Sequence, residues 1–345
     1  MIKKNGLHEI GFFLALAFSV LMSSCLNNYS SLDTNSFDNS ILSSESLNPQ
    51  LSSFESSYNV VSQPSISYSS NSYLDTSNIP SLEKVELIKE IGGQDGCAYG
   101  DYIFSFNDNN SFCVYKYSED KILGVFELDG GLSPHCNSAC FGNEKFSKDD
   151  FFPLLYVNAY NNTSLPRGTC YVFRITINGY VFKTKLVQTI SISFVDSMLW
   201  SDTDDIRPYG NFAIDGENKK MRVYIMRNVI QTTRFFEFEL PDLSDGSYVV
   251  LREKDIIKYF DVDYFHVIQG NYSYDNKVVF CFGVGYDAAI AVIDIELETV
   301  TVIISLQRFG LIDEPEKVFR FDNSLFYGTN TGIYKLTFNT SESWL

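Results

Sequence analysis

From Ser81 onward the chain repeats one rhythm: short runs in which apolar and polar residues alternate, separated by turns of Asp, Asn, Gly and Ser. Period-two alternation over four to eight residues predicts half-buried β-strands, and clusters of turn formers set their ends. The stretch from His135 to Ile192 is the clearest. HCNSACFG puts His135, Asn137, Ala139 and Phe141 on one face of a first strand. Three further runs follow, PLLYVNAY, TCYVFRITI and VFKTKLVQTISI. Aromatic residues, 29 Phe and 22 Tyr, suit pleated surfaces better than helices.

The rest of the domain can be laid out as copies of this four-stranded unit. A lone strand, Val85 to Ile91, ends at Gly92-Gly93. A first copy reads Cys97–Tyr99, Tyr102–Asn107, Phe112–Tyr117 and Ile122–Leu128, and His135–Ile192 is the second. The third reads Phe212–Ile214, Met221–Asn228, Phe235–Leu240 and Tyr248–Leu251. The fourth reads His266–Tyr274, Lys277–Gly283, Ala289–Asp294 and Thr299–Leu306. The fifth has three strands only: Lys317–Phe321, Leu325–Thr329 and Gly332–Phe338. Consecutive antiparallel four-stranded units predict an all-β fold, a β-propeller. A ring with an unpaired edge is a liability, and the lone first strand supplies what the last unit lacks. The expectation is five blades with the N-terminal strand closing the last. The alternative is six blades, with further strands within Asp255–Phe265 or Gln188–Leu199.

The hairpin AVIDIELETVTVI resembles the V-I-D-x-x-T-x-x-V hairpin of YVTN-like and TolB-like bacterial propellers, and Leu154-Leu155-Tyr156-Val157 fits the same broad group. The resemblance covers the chain from about residue 84. It implies the fold and leaves function open, because propellers host enzymes, sensors and scaffolds alike.

The N-terminus changes the picture of location. Lys3 and Lys4 precede an apolar run from Ile10 to Met22, shorter than the ~20 residues of a spanning helix and suited to a secretory signal. Met22-Ser23-Ser24-Cys25 resembles the lipobox of bacterial lipoproteins. That resemblance implies a signal peptide over 1–24, cleavage before Cys25 and acylation of that residue. Several acyl chains on one residue anchor stably. Leu26 in the next position resembles lipoproteins forwarded to an outer membrane. Residues 25–80 then form a Ser- and Asn-rich tether without Lys, Arg, Gly or His, too polar to offset ordering entropy. The propeller domain spans 81–345. The expected location is the cell envelope, lipid-anchored at the outer membrane.

Net charge is −17 over the whole chain and about −18 without the signal peptide, which opposes phosphate backbones and excludes nucleic acid as a partner. The expected oligomeric state is monomeric. Chemistry-bearing residues are few. His135 and His266 both begin predicted innermost strands, which in a propeller line the central channel. The matching positions in the other units offer Gln94 or Asp95, Arg207 or Tyr209, and Glu314 or Glu316. The expected binding face comprises His135, Asn137, Arg207, His266 and Glu314, taking a glycan, peptide or partner protein. No metal or cofactor is expected, since the ligand spacing of a metal site is missing.

Two alternatives come from other classes. Five-bladed rings resemble glycoside hydrolases holding two carboxylates about 5–10 Å apart, and Asp95, Asp263, Glu314 and Glu316 lie at the appropriate strand ends. The chain shows no G-x-S-x-G elbow, phosphate loop or HExxH helix. A structural or assembly role is the third reading. Of the six cysteines after Cys25, Cys136 and Cys140 are expected on one strand, about 13 Å apart and beyond disulfide reach. Zero or one disulfide is expected.

Overall fold

The computed structural model describes residues 81–159, 168–193, 211–227, 231–263, 268–283 and 285–339. Within them the chain forms five sheets, four of four strands and one of five, arranged as the blades of a β-propeller. Blade 1 holds β2 (Gly96–Tyr99), β3 (Tyr102–Phe106), β4 (Ser111–Lys116) and β5 (Lys121–Glu127). Blade 2 holds β6 (Ala139–Phe141), β7 (Leu155–Ala159), β8 (Thr169–Asn178) and β9 (Val181–Ile192). Blade 3 uses β10 (Asn211–Asp215), β11 (Lys220–Arg227), β12 (Thr232–Glu239) and β14 (Lys258–Val262). Blade 4 is β15 (Ile268–Tyr274), β16 (Lys277–Phe282), β17 (Ala289–Asp294) and β18 (Thr299–Ser305). Blade 5 is β19 (Pro315–Phe321), β20 (Ser324–Thr329) and β21 (Ile333–Phe338), completed on its outer edge by β1 (Leu82–Lys89).

The expected closure is therefore observed. Val85 lies opposite Leu336 and Leu87 opposite Tyr334 in an antiparallel ladder. Leu82 is buried among residues of blades 4 and 5. Each pair of neighbouring blades shares one apolar cluster. Phe104, Phe112, Phe152, Phe173 and Phe182 fill the seam between blades 1 and 2. Val172, Ile190, Val223 and Phe236 fill that between blades 2 and 3. Phe235, Phe260, Phe280 and Ile293 join blades 3 and 4, while Val279, Ile290, Val318 and Tyr327 join blades 4 and 5. Ile103, Tyr115, Phe319 and Phe326 close the ring between blades 5 and 1. Middle strands are covered on both faces, so β16 and β17 are buried almost throughout. The outer strand β5 keeps exposed positions along its length.

Three expectations need correction. The fourth strand of blade 3 is β14, not Tyr248–Leu251. The latter is β13, which adds in parallel to β9 as a fifth strand of blade 2, Val250 opposite Ser191. The Asp255–Phe265 region thus holds a strand of the third blade, not a sixth blade. Finally, His135 does not begin a strand. Its φ of 58° is left-handed, and β6 starts only at Ala139. Cys136 and Cys140 are thus not on one strand, and all six thiols are free.

Candidate functional site

The innermost strands of the five blades, β2, β6, β10, β15 and β19, surround the channel. They divide it into an upper mouth, where they begin, and a lower mouth, where they end. Between the two the channel is plugged by polar groups that bond across it. Asp95, fully buried, accepts from the N–H of Gly96 at 2.7 Å and of Ala139 at 2.8 Å, and also from backbone N–H of Asn271. One blade 1 carboxylate therefore ties together blades 1, 2 and 4. Burial pushes that carboxyl up, while the three N–H donors and nearby Lys317 pull it down. Asn271 donates through its side-chain amide to the Ser138 hydroxyl at 2.9 Å, the Phe212 carbonyl at 3.0 Å and the Tyr224 hydroxyl at 3.0 Å. The Ser138 hydroxyl donates in turn to the Phe212 carbonyl.

The blades approach so closely here that a side chain at position 270 has no room. A Cβ on Gly270 would lie 2.4 Å from Asp95 Oδ1 and 2.5 Å from the Glu316 carbonyl oxygen. Lys317, fully buried, donates from Nζ to the Gly93 carbonyl at 3.0 Å and the Thr329 carbonyl at 3.3 Å. Its ammonium is drawn down to about 8 by burial, against the pull of Glu316 and Asp95.

Two of the residues singled out from the sequence, Asn137 and Glu314, stand at the upper mouth. Asn137 of blade 2 donates from Nδ2 to Gln269 Oε1 at 3.2 Å, and Gln269 of blade 4 donates from Nε2 to Glu314 Oε1 of blade 5 at 2.7 Å. Asn137 and Glu314 are thus brought together through Gln269, which the sequence reading missed. Gln269 lies one position into β15 after Ile268. Its signal was its place near the start of an innermost strand, just as Asn137 precedes β6. The Asn137 Oδ1 is buried without a hydrogen-bond partner. Glu316 is 4% exposed, and burial with Glu314 nearby pushes its carboxyl up to about 8. His135 is half-buried two residues before Asn137. Arg207 and His266 lie outside the described residues, as does Cys25.

The lower mouth opens into a hollow of about 230 Å³ to which all five innermost strands contribute, among them Cys97, Cys140, Asp215, Tyr274 and Arg320. Burial pushes the Cys97 thiol up and that of Cys140 to about 12, so both behave as small apolar groups. Asp215 is held by Arg222 Nη1 at 3.2 Å and by the backbone and side chain of Asn218, each at 3.0 Å. Among the described residues no group of three His, Cys, Asp or Glu side chains is placed to hold a metal.

The arrangement is that of a five-bladed β-propeller with a polar plug and two distinct mouths. No family model matches the chain, and no curated protein matches it. Among solved structures, a glutaminyl cyclase of Myxococcus xanthus is similar over 75% of this chain and 96% of its own, at 10% identity and a TM-score of 0.44. Raptor of Chaetomium thermophilum is similar over 72% of this chain, at 14% identity and a TM-score of 0.35, and this chain spans 20% of its length. Neither likeness is close enough to carry a residue or an activity across.

Proposed function

We propose that this protein is a lipid-anchored lipoprotein of the cell envelope whose propeller binds a ligand at its upper mouth. The observation that carries the reading is the relay Asn137–Gln269–Glu314, which spans three blades and leaves one buried acceptor without a donor. Asn137 Oδ1 has no hydrogen-bond partner among the described residues. A buried acceptor left unpaired costs about 1–3 kcal/mol, which a ligand donor recovers on binding. The ligand is therefore rich in donors: the hydroxyls of a glycan or the amines of a peptide or partner protein. Titration of the full chain with neutral oligosaccharides and lysine-containing peptides tests this. Glu314→Gln and Asn137→Ala each weaken binding about tenfold, or about 1.4 kcal/mol. Unchanged affinity in both variants rejects the site.

One observation favours a second reading. Glu316, its carboxyl pushed up to about 8 by burial and by Glu314 nearby, has the raised carboxyl of a glycosidase proton donor. Oligosaccharide turnover that disappears in Glu316→Gln would replace binding with catalysis.

Anchoring rests on the lipobox-like Met22-Ser23-Ser24-Cys25 and the polar tether of residues 26–80. Its ten or more buried methylenes per acyl chain, at about 0.8 kcal/mol each, hold the domain at the membrane. The outer membrane is the inferred address, from Leu26, and the chain acts there as a monomer away from nucleic acid. Cys25→Ser should move the protein from the membrane to the soluble fraction on cell fractionation. A variant that stays with the membrane removes the acyl anchor from the proposal.

A further inference from the structure

We propose that the lower mouth is a second binding site, specific for a small carboxylate borne on a sugar ring, with Arg320 as its anchor. Three observations lead there. The first is the hollow itself, about 230 Å³ and built from every blade, on the far side of the polar plug from the relay at the upper mouth. Its volume admits a monosaccharide-sized group.

The second is the state of Arg320. Other buried or half-buried arginines hold carboxylates: Arg174 pairs with Asp150, Arg222 with Asp215 and Glu237, and Arg234 with Asp261. Arg320 has no ion pair among the described residues. Its guanidinium lies 4.8 Å from the centre of the Tyr274 ring, with the Tyr272 phenol beside it. The chain has 43 acidic residues against 26 basic ones, so a guanidinium without a carboxylate at a cavity wall is unexpected. The stacked face and the Tyr272 contact fix the plane of the fork. Its remaining N–H groups are left to meet a carboxylate in the two-pronged geometry that lysine cannot supply.

The third is what surrounds it. Asp215, the nearest buried acid of the hollow, is already held by Arg222 and Asn218, so it does not compete for Arg320. The side chains of Asn143 and the exposed Glu217 stand at the wall without hydrogen bonds, from blades 2 and 3. They offer an amide and an acceptor to ring hydroxyls. The upper mouth favours donors. The lower mouth presents a cation, Arg320, that no carboxylate holds among the described residues.

Calorimetric titration of the full chain with D-glucuronate and with D-glucose, the neutral ring of similar shape, tests the assignment. Glucuronate should bind at least about tenfold more tightly than glucose. Arg320→Gln should bring glucuronate down to the affinity of glucose with the melting midpoint retained. Should Arg320→Gln lower the melting midpoint, Arg320→Lys decides, since it keeps the charge and loses the fork, and its affinity should fall between the two. Absence of glucuronate binding, equal binding of both sugars, or glucuronate affinity unaffected by the Arg320 variants would overturn the proposal.

Discussion

Glu316 sits on β19, a residue 4% exposed, near the buried ammonium of Lys317. Burial and Glu314 raise the folded carboxyl to about 8 from an unfolded value of 4.5. The folded chain therefore holds a proton that the unfolded chain releases across that interval, and stability contributed below pH 4.5 is lost as the pH rises toward 8. Lys317 acts in the opposite sense and in a different window. Its folded value of about 8 lies below 10.5, so its contribution rises only above pH 8. Replacing Glu316 by Gln removes the first dependence, and with it a pull that holds the Lys317 ammonium up. Urea unfolding at pH 5, 6.5 and 8 should show the variant gaining on wild type with pH, with a limiting slope of about 1.4 kcal/mol per unit. Parallel profiles for the two proteins would show that Glu316 is not the titrating group.

At the scale of elements, alternation made the strands legible and left their partners undecided. Ala289–Asp294 and Leu325–Thr329 read directly from their apolar runs because blades cover both of their faces. Tyr248–Leu251 and Lys258–Val262 carry the same rhythm, and nothing local says which edge each joins. The structure assigns the second to blade 3 and the first, in parallel, to blade 2. Pairing across a loop depends on where the ring places the edges, a property no short window contains. The site shows the same division. Asn137 and Glu314 were legible as residues near the starts of innermost strands. Gln269 and Arg320 were not, because their roles depend on what faces them across the channel. His135 was expected to begin a strand, and its left-handed backbone was hidden by a run that alternates like one. Arg222 makes the point for the interior. It reads as a polar position on a strand, yet it is 1% exposed and holds Asp215 at 3.2 Å and Glu237 at 2.9 Å. Such a group is retained because removing one partner strands the others, at a cost of about 3–5 kcal/mol.

For the whole molecule, the ring makes the two ends of the propeller one mechanical unit. Five seams each carry an apolar cluster, and the seam between blades 4 and 5 includes Leu82 from the beginning of the domain with Leu336 and Phe338 from its end. Without β1, the edge of β21 is left open and these residues lose a covering side chain. An open edge offers unpaired N–H and C=O groups to other chains, so the consequence extends beyond stability to association. Removing residues 81–89 should therefore produce soluble oligomers or aggregate on size-exclusion chromatography and separate the unfolding of blade 5 from that of blades 1 to 4. The milder substitution Leu82→Ala tests the same contact without opening the edge. It should cost about 2–5 kcal/mol in urea unfolding, the range for truncating a buried leucine, while keeping a single transition. If the deletion variant remains monomeric and unfolds in one step at the wild-type midpoint, the ring is closed by the other seams and β1 is dispensable.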